Sequence, residues 1–131
     1  MHIAISFKTS KFNVSNENKN PINPIYGESL LKWLKLELNS SHEITEPDAE
    51  DWGWYSNIIW NDREYILGAS TFYKDGDDPN SELEWIFQID KQRSFIEKLL
   101  GKEKISRSDE CVLFFKSKLE AESDINSLAF E

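Results

Sequence analysis

The stretch EPDAEDWGWYSNIIWNDREYILGAS, residues 46–70, contains the clearest structural pattern in the chain. Apolar and polar residues alternate on both sides of Asn61-Asp62, as they do in a β-hairpin, where successive side chains point to opposite faces. Asn and Asp tolerate the positive φ angles that two-residue hairpin turns require. The resulting register pairs Trp54 with Ala69. We therefore predict two antiparallel strands joined by a turn at Asn61-Asp62.

One face of this hairpin carries a large apolar set. Its members are Trp52, Trp54, Ile58 and Trp60 on the first strand and Tyr65, Leu67 and Ala69 on the second. A slip of one residue would turn the apolar set of one strand outward, so the pattern fixes the register. On the other face Tyr55 lies across from Gly68, where an aromatic ring can cover the bare glycine backbone. The tryptophans predict a core, or a binding surface if the helices cover the opposite face.

Two acidic segments leave the hairpin at its open end. Residues 46–51 contain Glu46, Asp48, Glu50 and Asp51, a charge of −4, and residues 74–84 contain Asp75, Asp77, Asp78, Glu82 and Glu84 against Lys74, also −4. The whole chain carries −9, so its acidity is concentrated in these two segments. One interpretation is that polar loops keep this end of the sheet soluble. The other is a patch that binds a basic partner or a cation.

The chain before the hairpin predicts a strand, a loop and a helix. Residues 2–8 alternate between polar and apolar, which predicts a half-buried strand. Residues 11–24, rich in Asn and Ser, predict an extended surface loop. Residues 27–39 predict a helix whose apolar stripe is Leu30, Leu31, Trp33, Leu34 and Leu38. A short strand at residues 42–45 then leads into the first acidic segment.

The chain directly after the hairpin predicts a third strand and a helix. Residues 83–89 alternate between apolar and polar with one exception, which predicts a strand. Asp90 is placed to cap a helix over residues 91–100. The apolar stripe of that helix is Phe95, Ile96, Leu99 and Leu100.

A further helix and strand complete the chain. The helix starts at Ser106 or Ser108 and continues with good helix formers. Its apolar side is Cys111, Val112, Phe115 and Leu119. Residues 111–115 also fit a strand, because a short apolar run does not distinguish the two. Residues 126–130 alternate and predict an edge strand.

These elements predict one domain, residues 1–131, of the α+β class. Consecutive strands joined by short turns pair antiparallel. We expect two layers, a mainly antiparallel sheet of about five or six strands with two or three helices packed on one face. Hydrophobic residues make up 39% of the chain and aromatic residues 13%, which is too much apolar surface for a disordered chain.

The charge of the chain argues against nucleic acids and membranes as partners. A net charge of −9 disfavours binding to phosphates, so we predict no nucleic-acid and no membrane partner. No apolar run approaches the roughly 18–20 residues that span a bilayer, and residues 1–12 lack the apolar core of a signal peptide. Cys111 is the single cysteine, which excludes an internal disulfide. We therefore predict a cytoplasmic protein, and its oligomeric state stays open.

The acidic residues also raise the question of metal or acid–base chemistry. The candidate ligands for Mg²⁺ or Ca²⁺ are Asp48, Glu50 and Asp51 in the first segment and Asp75, Asp77 and Asp78 in the second. The second segment lacks the glycine position and the following helix of a helix–loop–helix calcium site. His2 and His42 have no ligand or triad spacing, and Cys111 lies on an apolar stripe typical of a buried small side chain. We therefore predict no metal and no cofactor, and an enzyme stays possible but has no motif to support it.

About a third of the chain, residues 24–60, carries a recognisable set of motifs. They are Tyr26-Gly27, Trp33-Leu34, Glu46-Pro47 and Glu50-Asp51-Trp52-Gly53-Trp54. This set resembles a group of short bacterial proteins of unknown function that combine a Gly-x-x-Leu-x-x-Trp-Leu helix with a Glu-Asp-Trp-Gly-Trp strand. The resemblance implies a small single-domain bacterial protein and carries no activity.

Three classes of function stay open. The favoured one is a small, acidic, non-enzymatic protein, immunity- or antitoxin-like, that binds a basic protein partner. Its expected binding residues are Glu46, Asp48, Glu50, Asp51, Trp52, Trp54, Asp75, Asp77 and Asp78. The alternative is a small-molecule or divalent-metal-dependent enzyme that uses the same acidic and aromatic end of the sheet. A third is a module of a larger assembly that uses an uncovered sheet face or an edge strand.

Overall fold

A computed structural model describes residues 2–131 and shows helices on one face of a six-stranded antiparallel sheet. The strands are β1 (Ile3–Thr9), β2 (Asp48–Glu50), β3 (Gly53–Trp60), β4 (Arg63–Thr71), β5 (Leu83–Lys91) and β6 (Asn126–Phe130). The helices are α1 (Glu28–Leu38), α2 (Phe95–Leu99) and α3 (Glu110–Glu120), and Val14–Asn16 forms a 3-10 turn. The strands lie in the order β2-β3-β4-β5-β1-β6. The predicted two-layer α+β fold is confirmed.

The hairpin has the predicted register. Trp54 pairs with Ala69 and Ile58 with Tyr65 along β3 and β4. Asn61 and Asp62 form the turn with φ angles of 49° and 64°, the left-handed conformation that suits both residue types. Local alternation and turn chemistry are therefore sufficient to place this element.

Helices α1 and α3 cover the aromatic face of the sheet, which we call the inner face. Trp54, Trp85 and Phe87 are buried there, and the Phe87 ring lies 5.4 Å from the ring of Phe115 on α3. The aromatic face is thus the core and not a binding surface. The opposite face, which we call the open face, has no helix packed against it among residues 2–131.

Residues 110–120 form a helix, which decides between the two interpretations of this segment. Asp109 caps it, because its Oδ1 accepts a hydrogen bond from the Cys111 backbone N–H at 2.9 Å. The four residues of the predicted apolar side, Cys111, Val112, Phe115 and Leu119, are all completely buried.

The segment 11–24 is anchored by side chains, so the prediction of an extended surface loop is only partly right. Phe12 and Val14 are buried in the core. The Glu17 carboxylate accepts hydrogen bonds from the backbone N–H groups of residues 27–29 and so caps α1. Burial raises the pKa of Glu17 above its usual value. Gly27 has no side chain to cap the helix, and Glu17 supplies the cap from ten residues away in sequence.

Two other predicted elements are wrong in position. Residues 42–45 contain only an isolated bridge from Ile44 to Ile58, and the edge strand is formed by Asp48–Glu50 instead. The helix predicted over residues 91–100 begins only at Phe95, because β5 continues to Lys91. Ser94 caps it in place of Asp90.

Candidate functional site

Trp52 lies on the open face, so its predicted place on the inner face is wrong. Gly53 adopts a φ of 150°, and a Cβ at this position would overlap with the Ala69 carbonyl oxygen. This backbone conformation interrupts the alternation between Trp52 and Trp54. The Trp52 ring then covers Gly68, where an added Cβ would lie 2.5 Å from the Trp52 Cη2 atom. Tyr55 pairs with Gly68 as predicted, and the Trp52 ring lies closest to this glycine.

A cleft of about 740 Å³ surrounds Trp52 on the open face. Its lining residues are His2, Glu50, Trp52, Tyr55, Asn57, Ile66, Gly68, Gln88 and Asp90. Most of them are open-face positions of β3, β4 and β5, and no helix among residues 2–131 covers them. We call this site the Trp52 cleft. It combines an indole ring with two carboxylates, the groups that bind guanidinium and ammonium ions.

The first acidic segment is split by strand β2. Asp48 pairs with Tyr55 and Glu50 with Gly53, which places both acidic residues on the side of the Trp52 cleft. Glu46 lies apart, where its Oε1 is 3.9 Å from Lys35 Nζ. The segment predicted as a loop is therefore an edge strand with one acidic residue turned to α1.

Trp54, the other predicted aromatic binding residue, belongs to the core. Only 5% of its surface is exposed, and its Nε1 donates a hydrogen bond to the Ile25 carbonyl oxygen at 3.1 Å. A residue in this position cannot contact a partner. Its role is to hold residues 24–26 against β3.

The second acidic segment uses its carboxylates to form its own turns. Asp77 Oδ2 accepts a hydrogen bond from the Lys74 backbone N–H at 3.0 Å. Asp78 Oδ1 accepts one from the Asn80 N–H at 2.9 Å. Asp75 is exposed. The segment joins β4 to β5 at the end of the sheet where β3 begins, so it contributes charge near the cleft.

Within residues 2–131, no three His, Cys, Asp or Glu side chains are arranged to hold a metal ion. The Trp52 cleft has two carboxylates, which is fewer than the three that the metal-dependent alternative predicts. Burial raises the pKa of Cys111 to about 12, so its thiol stays protonated at neutral pH. His42 stacks on Trp60 with ring centroids 4.7 Å apart.

In the part of the chain that the structure describes, no helix is long and apolar enough to cross a membrane.

Sequence reasoning missed a second exposed surface. The predicted stripe of α2 is not buried, and Phe95 and Leu99 expose 79% and 72% of their surfaces. The pattern Ser94-x-x-Glu97 is a capping box, a signal in the sequence that would have placed the start of this helix correctly. No local signal indicates which side of the helix faces solvent.

Comparisons with known proteins give no indication of function. No family model, no curated protein and no solved structure matches the chain. The resemblance to short bacterial proteins therefore stays a prediction.

Proposed function

We propose that the chain is a small, acidic, non-enzymatic protein that binds a basic protein partner, in the manner of an immunity protein or an antitoxin. The observation that carries this proposal is the Trp52 ring, held over Gly68 in an uncovered cleft that also contains Glu50 and Asp90. An Arg or Lys side chain of the partner enters this cleft. The acidic segments 46–51 and 74–84 add negative charge at the end of the sheet where β3 begins.

The chemistry of the cleft suits an arginine. A guanidinium group stacks on an indole ring and donates paired hydrogen bonds to carboxylates, and the cation–π contact alone contributes about 0.5–2 kcal/mol. The Trp52 ring already lies against Gly68 and close to Gln88, so little side-chain freedom is lost on binding. Preorganisation of this kind favours affinity.

The acidic segments supply long-range attraction. Together they account for most of the net charge of −9, and Asp75, Asp77 and Asp78 lie in an exposed loop. Opposite charge accelerates the association of two proteins, and added salt reduces this effect. We therefore expect the association rate with the basic partner to fall as salt is added.

A small-molecule enzyme at the same site is the second candidate. The volume of about 740 Å³ supports it, because ligand pockets commonly measure about 300–1,000 Å³. The site has no histidine besides His2 and no convergent set of three carboxylates. The open shape of the cleft fits a protein side chain better.

The test compares binding of an arginine-rich peptide to the wild type and to two variants with equal charge changes. One variant carries Glu50→Gln, Asp51→Asn, Asp77→Asn and Asp78→Asn. The matched control carries Glu43→Gln, Asp62→Asn, Glu110→Gln and Glu120→Gln. We expect the first variant to lose at least about tenfold in affinity, equivalent to about 1.4 kcal/mol, and the control to lose much less. Equal losses of affinity in the two variants would mean that the peptide responds only to the net charge of the protein, and would contradict the proposal.

A second measurement identifies the natural partner. Affinity capture from a lysate of the source organism at low and high salt is expected to recover a basic protein that the high-salt wash releases. Substitution of Trp52 by Ala should abolish this capture, because the ring supplies the contact in the cleft. Capture that survives in the Trp52 variant would place the partner elsewhere on the molecule.

A further inference from the structure

Helix α2 presents its apolar side to solvent. The exposed fractions are 79% for Phe95, 66% for Ile96, 72% for Leu99 and 60% for Leu100, and no residue of the helix is buried. We call these four residues the α2 ridge. Single exposed apolar residues are common on protein surfaces. A contiguous set of them is typical of a surface that binds another protein or a membrane.

The polar side of α2 faces the protein and holds the helix in place. Arg63 Nη1 and Nη2 donate to the two Glu97 carboxylate oxygens at 3.0 and 2.8 Å, and Nη1 also donates to the Gln92 carbonyl oxygen at 2.9 Å. Ser94 and Glu97 form a reciprocal capping box. A five-residue helix is not stable alone, so these contacts fix it with the ridge outward.

Basic residues flank the ridge in the sequence. Residues 91–107 contain six Lys and Arg against two Glu, a net charge of +4 in a chain whose total is −9. Both glutamates are paired, Glu97 with Arg63 and Glu103 with Lys91. Of the six cations, Lys91 is in ion pairs and Arg107 lies over the Phe130 ring. The other four form no ion pair among residues 2–131, and we call them the basic ring. They are Arg93, Lys98, Lys102 and Lys104.

A small pocket lies inside the basic ring. Its volume is about 130 Å³, and its lining includes Arg93, Lys98 and Lys104, with Asp90 as its one acidic residue. Arg93 Nη1 donates to the Lys102 carbonyl oxygen at 3.0 Å, which fixes the guanidinium at the rim. Several cations around a small concave site favour a phosphate group.

We propose that α2 docks on an anionic lipid surface. The α2 ridge enters the interfacial layer of the bilayer, and the basic ring contacts the lipid phosphates. Charge complementarity selects this occupant, because clustered Lys and Arg beside apolar side chains are what anionic membranes attract. A second copy of this chain joined ridge to ridge would bring two basic rings together and is disfavoured by their repulsion.

The net charge of the chain does not prevent this docking, although it led to the expectation of no membrane partner. The acidic segment 74–84 lies at the start of β5, and α2 follows its end. The nine residues of β5 span about 30 Å, whereas the Debye length is about 8 Å at physiological ionic strength. The acidic segment 74–84 is therefore screened from a surface that α2 touches.

The first arm of the test measures sedimentation with vesicles. We expect the wild type to bind vesicles of equal parts phosphatidylcholine and phosphatidylglycerol at low salt and not vesicles of phosphatidylcholine alone. The variant with Lys98→Gln, Lys102→Gln and Lys104→Gln should bind roughly 100-fold more weakly, because each basic residue near the surface contributes roughly fivefold. Failure of the wild type to bind the anionic vesicles would overturn the proposal.

The second arm removes the apolar contact. Phe95→Ser with Leu99→Ser should reduce binding by at least about tenfold, since the lost apolar contacts are the ones that enter the bilayer. The matched control is Leu36→Ser on α1, where the leucine is 73% exposed and lies outside the ridge. An unchanged urea midpoint checks that both variants fold. Equal binding by the ridge variant and the wild type would contradict the proposal.

A third measurement distinguishes lipid from a second copy. Light scattering after size exclusion is expected to give the same mass for the wild type and the ridge variant. A dimer of the wild type that dissociates in the Phe95→Ser, Leu99→Ser variant would show that another copy covers the ridge, and would overturn the lipid proposal. Asp90 lines both the Trp52 cleft and the pocket in the basic ring, so the two sites are neighbours. The variants of this test leave Trp52, Glu50 and Asp90 unchanged, and arginine-peptide binding by them is measured separately.

Discussion

Helices α2 and α3 have similar apolar stripes in sequence and opposite orientations in the structure. In α3 the stripe residues, Phe115 among them, are completely buried against the sheet. In α2 the stripe is exposed, and Glu97 on the other side is bound by Arg63. An apolar stripe therefore shows that a helix has a side to cover. It does not show whether the same chain covers it.

The position of each helix relative to the sheet explains the difference. Helix α3 lies over the inner face, where Phe115 packs against Phe87. Helix α2 follows the end of β5, beyond the last paired residue, Lys91, so no sheet lies beneath it. Arg63 at the start of β4 then offers the nearest contact, and that contact is polar. The ion pair turns the polar side of α2 inward.

The largest effect is expected when a phenylalanine is replaced in each of the two helices, because one is buried and the other is exposed. Phe115→Ala should lower the free energy of unfolding by about 3–5 kcal/mol, because it leaves a cavity in the core. Phe95→Ala should change it by less than about 0.5 kcal/mol, as is usual for an exposed site. Urea denaturation of both variants measures this. Comparable losses would mean that the α2 ridge is part of the core in solution.

A smaller effect is expected from removal of the ion pair that orients α2. Arg63→Gln should increase the hydrogen-exchange rate of the Lys98 and Leu100 amides several-fold, since local opening of the helix becomes easier. The control is Lys116→Gln, which removes the Lys116–Glu120 pair on the surface of α3. The buried apolar side of α3 holds that helix against the sheet, so its amides should stay protected from hydrogen exchange. If the α2 amides also keep theirs in Arg63→Gln, another contact orients the helix.

The smallest effect is a dependence of α2 on pH. The hydrogen bonds from Arg63 lower the pKa of Glu97 to about 2, from a usual value near 4.5. A lowered pKa in the folded state means that the stabilisation is fully present above pH 4.5 and is lost as the pH falls towards 2. An NMR titration of the Glu97 carboxyl measures this. In Arg63→Gln the pKa should return towards 4.5, and a wild-type value near 4.5 would exclude the ion pair in solution.

The two tryptophans beside Gly53 show where prediction from the sequence succeeded and where it failed. Alternation placed Trp54 on the inner face, as the structure has it. The same rule placed Trp52 beside it, but the conformation of Gly53 turns Trp52 to the open face. A glycine between two tryptophans is a signal that alternation can end there. The position of Trp52 in the cleft depends on this one residue.

The sequence by itself determined the features that depend on neighbouring residues. These are the hairpin and its register, the apolar sides of α1 and α3, and the α+β class, because alternation, helical spacing and turn chemistry are local. The tertiary structure alone decided three others. Glu17 caps α1 from a distant loop, Trp52 covers Gly68 on a different strand, and Arg63 turns the polar side of α2 inward. Each depends on a contact between residues far apart in sequence, and a pattern of neighbouring residues does not encode which distant side chain will meet it.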